Sequence, residues 1–127
     1  MSADPITFLA QLAYNNGAGI NVTLPQISAP VSTTITGVNF TENTMTVPTT
    51  STGTAIPLGG LGNLGLAMFI NLDPTNYVEI MTAVSGTKII KMLPGDYALF
   101  RFDPSITAPA AIAHTAAVQL QYLILEN

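Results

Sequence analysis

Near the C-terminus Val118, Leu120, Tyr122 and Ile124 alternate with Gln119 and Gln121. A two-residue apolar period belongs to a β-strand with one face in a core and the other facing outward. The same period runs from Tyr97 to Phe102, where Ala98, Phe100 and Phe102 share one face while Leu99 and Arg101 share the other. Arg101 is therefore expected to point away from the aromatic core. Seventeen threonines, ten glycines and nine prolines, beside very few Lys, Glu and Arg, favour short strands separated by turns over helices. The expected fold is all-β: an antiparallel, jelly-roll-like β-sandwich. At 127 residues the chain has room for one such domain.

The turn chemistry divides the second half into strands. Leu66 to Leu72 and Tyr77 to Met81 are joined by Asp73-Pro74-Thr75-Asn76, which suits a type I turn and reads as a hairpin. A Ser85-Gly86 turn then leads into a strand from Thr87 to Leu93. Pro94-Gly95 suits a type II turn into Tyr97 to Phe102. These four strands are expected to form a meander, in which Glu79 and Arg101 lie outward on one sheet and can pair across it or contact a neighbouring subunit. The core is expected from Phe69, Val78, Ile80, Phe100, Phe102, Val118, Leu120 and Ile124. The glycines from Gly59 to Gly65 precede a strand and lack the Gly-Lys-[Ser/Thr] of a phosphate cradle, so they read as a tight bend.

The N-terminus reads two ways. Asp4-Pro5 suits a helix cap with proline at the first helical position, and the apolar run Ile6 to Tyr14 ends in Asn15-Asn16-Gly17. Weak alternation in the same run also fits a first strand. Cap chemistry favours a short helix or arm over residues 1–18, followed by one β-sandwich domain over residues 19–127. From Gly19 to Pro57, stretches at Ile20 to Leu24, Val31 to Phe40 and Thr44 to Val47 look like edge strands with threonine faces, and Val47 to Gly53 like a loop.

Only ten residues are charged, 8% of the chain, against about 25% in an ordinary soluble domain. Ten charges cannot cover the surface of such a domain, so much of that surface is expected to be covered by partners. A net charge of -4, with Lys88, Lys91 and Arg101 as the only Lys and Arg, excludes a phosphate-backbone footprint and hence nucleic acid. Mean hydropathy is +0.45, yet no apolar stretch approaches the roughly 18 residues that span a bilayer, so no membrane partner is expected. Met1 to Pro5 shows no secretory signal, and synthesis in the cytosol of the producing cell is expected.

Catalytic and metal chemistry find little support. His114 is the only histidine, and no G-x-S-x-G elbow accompanies it, so it reads as a polar residue at a strand start. Asp4, Asp73 and Asp103 each precede proline and look like turn formers, leaving few acids for a cleft pair. There is no cysteine and no calcium-loop pattern. Tyr14, Tyr77, Tyr97 and Tyr122 read as core or interface aromatics. No catalytic, cofactor-binding or metal residue is assigned, and no enzyme is expected. A carbohydrate-binding sandwich would need exposed aromatics around a polar groove, and with no Trp the case is thin.

Several stretches carry a resemblance. Ile56-Pro57-Leu58-Gly59, Gly65 through Phe69 to Asp73, Thr75 to Ile80, Leu93-Pro94-Gly95 through Ala98 to Arg101, and Thr115 to Val118 with Tyr122 to Glu126 resemble small β-sandwich structural proteins of tailed bacteriophages, of the head decoration or cement kind. The most specific element is Asn71 to Ile80 followed at strand spacing by Pro94 to Arg101. The resemblance implies a non-enzymatic virion protein on the capsid surface, bridging and stabilising subunits of the major capsid protein, as a homo-oligomer with a homotrimer favoured. No cofactor and no catalytic residues come with it. A tail, fibre or head-tail connector component is the alternative. On this reading residues 1–18 form an arm that grips the shell.

Overall fold

A computed structural model describes the strands Asp4–Phe8, Leu12–Asn15, Asn21–Leu24 and Val31–Ile35 as backbone elements, together with residue 37 and residues 39–127 in full. The chain divides into two compact units, residues 1–36 and 37–127. In the first, β1 (Asp4–Phe8) pairs antiparallel with β4 (Val31–Ile35), and β2 (Leu12–Asn15) with β3 (Asn21–Leu24). The short helix expected within residues 1–18 is corrected at the described positions: Ile6 to Phe8 lie in β1 and Leu12 to Tyr14 in β2. The Asp4-Pro5 cap would satisfy one helix end, whereas β-branched Ile6 and Thr7 and aromatic Phe8 prefer extended backbone and gain ladder partners in Thr33, Ser32 and Val31. Strand β2 pairs with β3 from Leu12↔Leu24 to Asn15↔Asn21.

The second unit holds eight strands: β5 (Phe40–Val47), β6 (Thr54–Ala55), β7 (Leu64–Asn71), β8 (Val78–Met81), β9 (Lys88–Met92), β10 (Tyr97–Arg101), β11 (Ala110–Ala113) and β12 (Val118–Glu126). They form two four-stranded antiparallel sheets, ordered β10-β7-β12-β5 and β6-β11-β8-β9. The pairs β8–β9, β7–β10, β6–β11 and β5–β12 are nested one inside the next, like a single long hairpin. Alternate pairs fall in opposite sheets, so the hairpin is rolled up, and β12 on β7 and β11 on β8 close each sheet. This is a jelly-roll β-sandwich, as the alternation and turn chemistry led us to expect.

The expected meander of four consecutive strands is corrected. Strands β7 and β8 lie in different sheets, and so do β9 and β10. Asp73 to Asn76 reverses the chain but does not close a hairpin, because turn chemistry sets a change of direction and not the edge on which the next strand lands. Both strands have apolar inward faces, and a sandwich buries these equally well from opposite sides.

Between the sheets Val47, Phe69, Val78, Ile80, Val118, Leu120 and Ile124 are fully buried, with Phe102 nearly so. Phe100 is half-buried and stacks on Phe69 at 5.8 Å between ring centroids, with the Phe102 ring edge-on to it at 4.9 Å. Seven of the eight expected core residues thus belong to one buried cluster, each contributing on the order of 1.5–3 kcal/mol by burial, and half-buried Phe100 packs against it. Tyr122 joins them. Its hydroxyl donates to the Pro57 carbonyl at 2.8 Å, and burial pushes its pKa up.

Candidate functional site

Because the β7–β10 and β8–β9 pairs are adjacent turns of the roll, the chain crosses between sheets twice at the same end. Residues 72–77 connect β7 to β8, and residues 93–96 connect β9 to β10. Asn71, buried to 1% exposure, fastens the two connections together. Its amide nitrogen donates to the carbonyls of Asn76 at 3.0 Å and Met92 at 3.1 Å, while its side-chain oxygen accepts from the Asp73 N–H at 2.9 Å. Its main chain adds two more bonds, accepting from Gly95 N–H and donating to the Asp96 carbonyl, both at 3.0 Å. A buried amide in apolar surroundings is costly unless its bonding capacity is met, and here it is spent on the loops.

Each loop is also braced internally. The Asp73 carboxylate accepts from the backbone N–H groups of Thr75 at 2.8 Å and Asn76 at 2.6 Å, and these bonds, Thr75 first, hold its pKa below the ordinary carboxylate value. Pro94-Gly95 forms the expected type II turn: Gly95 has φ +80°, which an L side chain disfavours, and Asp96 N–H donates to the Leu93 carbonyl at 3.0 Å. The Asp96 carboxylate in return accepts from Leu93 N–H at 2.8 Å. On this frame Leu72 (49% exposed), Leu93 (52%) and Tyr97 (68%) stand in solvent. Leu72 and Tyr97, together with Pro74 and Pro94, border an open hollow of about 440 Å³. Apolar groups on a rigid support suit docking, because little conformational entropy remains to be lost on contact.

A polar cluster lies beside this end on the outer face of the second sheet. Glu79 on β8 meets His114, just past β11, at 2.5 Å and Lys88 on β9 at 3.5 Å. A carboxylate only accepts, so His114 Nε2 carries the hydrogen. The imidazole also stacks on Tyr77 at 5.2 Å, and Lys91 Nζ lies 4.2 Å from the Tyr77 ring centroid. The expected pairing of Glu79 with Arg101 is corrected, because the two residues occupy opposite sheets. Arg101 instead donates to the Asn127 side-chain oxygen at 2.7 Å. Its side chain is exposed and directed away from the core, as its strand phase requires.

Sequence reasoning placed Tyr77, Glu79, Lys88, Lys91 and His114 separately and did not foresee their convergence, which joins residues up to 37 apart. It also read past Asn71, whose position at a strand end resembles that of any turn-forming asparagine. Among the described residues no three His, Asp or Glu side chains converge as metal ligands do. No described helix is long and apolar enough to cross a membrane. No protein-family model, no curated protein and no solved structure matches the chain.

Proposed function

We propose that this chain is a non-enzymatic structural protein of a bacteriophage virion, a capsid decoration or cement protein. It docks on the outside of the head through the Asn71-braced loops and bridges subunits of the major capsid protein. The observation that carries this reading is the pair of braced loops, which hold Leu72, Leu93 and Tyr97 exposed, Leu72 and Tyr97 beside an open hollow. Two further features support it. The residues with the most specific resemblance to phage decoration proteins, Asn71 to Ile80 and Pro94 to Arg101, are those that build these loops. The jelly roll also recurs among viral shell proteins, an analogy of fold alone.

The test is binding to heads of the encoding phage from which this chain has been stripped. A Leu72→Asp, Leu93→Asp double variant places two carboxylates where apolar contact is needed. It is expected to melt within a few degrees of the parent and to bind heads more than about tenfold more weakly, the scale of losing hot-spot contacts. Saturation of the heads at parental concentration would defeat the proposal. Binding confined to one vertex would transfer the chain to the connector reading.

A further inference from the structure

The outer face of the β10-β7-β12-β5 sheet is apolar where a solvated sheet face is polar. Outward side chains form rows across it: Tyr97, Ile70, Gln121 and Thr44 in one, Leu99, Met68, Leu123 and Glu42 in the next. In a third, Arg101 stands opposite Leu66 and, beyond the bulge in β12, Leu125 stands opposite Phe40. Phe40 is 64% exposed and Leu99 40%. The two charges in these rows, Arg101 and Glu42, have opposite signs and sit on opposite edge strands.

We propose that this face is covered by a second copy of the chain, in an isologous dimer whose two-fold axis runs along the strands at the centre of the face. Such an axis lays β10 of one copy over β5 of the other and β7 over β12. Met68 then faces Leu123, and Leu66 faces Leu125. Arg101 lies over Phe40 with Glu42 one pleat repeat away, so two reciprocal charge pairs flank an apolar centre. Arg101 has five N–H donors and keeps its bond to Asn127 in this arrangement.

The size of the face fits. Strands of 5, 8, 9 and 8 residues, rising about 3.4 Å per residue and about 4.8 Å apart, give roughly 500 Å² in projection. With the relief of its side chains this approaches the roughly 800 Å² per partner of a stable interface. Because the axis follows the strands, both Asn71-braced ends point the same way. If the docking reading above holds, the dimer grips two neighbouring sites at once, and its avidity exceeds that of either end alone.

Sedimentation equilibrium of the full chain tests the proposal without phage heads, so its outcome is separate from that of the docking reading. A mass of 26.6 kDa, twice 13.3 kDa, is expected at micromolar concentration. A monomer, or a trimer as the family resemblance implies, would overturn the dimer. Glu42→Arg and Arg101→Glu are each expected to weaken the dimer about tenfold, and their combination to restore it to within about threefold. Failure of the double variant to recover would overturn the two-fold register. Leu123→Asp is expected to sediment at 13.3 kDa while still melting cooperatively. A folded L123D chain that remains dimeric would place the interface elsewhere.

Discussion

The side-chain amide of Asn71 donates to the main-chain carbonyl of Met92 at 3.1 Å, tying the end of β7 to the end of β9 across two sheets. Replacement by leucine keeps the volume but leaves the Met92 and Asn76 carbonyls and the Asp73 N–H without their partner. Buried groups left in this way cost about 1–3 kcal/mol each, less where water can enter, so Asn71→Leu is expected to destabilise the fold by about 2–4 kcal/mol. In a thermal melt that corresponds to a fall of roughly 10–20 °C. A shift under about 3 °C would show that the loops hold without the amide.

Acid should act through the turns. The backbone N–H groups of Thr75 and then Asn76 lower the pKa of Asp73 from 3.8, and the Ser105 hydroxyl, then its N–H, lowers that of Asp103 from the same value. A carboxyl with a depressed folded pKa stabilises the fold above its unfolded value and loses that contribution as pH falls through the folded one. Stability is therefore expected to decline below about pH 4. An Asp73→Asn, Asp103→Asn double variant should be less stable than the parent at pH 7 and approach it near pH 2. Parallel curves for parent and variant across that range would contradict this assignment.

Double-mutant cycles separate the two ion-pair assignments for Glu79. Glu79 and Arg101 lie on opposite sheets, so alanine substitutions at both should be additive within about 0.5 kcal/mol. Glu79 and His114 are in contact at 2.5 Å, and should show a coupling of about 0.5–1 kcal/mol at neutral pH. Coupling in the first cycle and none in the second would reverse the structural assignment.

Among the described residues the main core cluster draws its side chains from Met45 onward, and residues 37–127 form a compact unit. A fragment beginning at Gly37 is expected to unfold cooperatively by circular dichroism. A fragment that never folds would make β1 to β4 an integral part of the second unit.

Much of the sandwich can be read in the sequence because burial follows the two-residue period. Val118, Leu120, Tyr122 and Ile124 alternate into the core as the pattern requires, and Ala98, Phe100 and Phe102 hold the phase that turns Arg101 outward. Partner choice was not legible. An apolar strand such as Val78 to Met81 is satisfied on either side of a core, so Asp73-Pro74 could not reveal that β8 pairs with β9 and β11 instead of β7. The Glu79–His114 contact joins residues 35 apart and exists only once β8 and β11 are neighbours. The N-terminal cap signal was outweighed by the pairing of Ile6 to Phe8 with β4, since the few bonds a cap supplies compete with a full ladder.

The most direct test of the docking account is cryo-electron microscopy of the phage virion to which the proposal assigns this chain. The account predicts density for the 13.3 kDa chain repeated over the whole shell, with residues 72–77 and 93–96 seated against the major capsid protein. Density confined to a single ring at one vertex, or a shell-bound chain whose Leu72 and Leu93 face solvent, would contradict it.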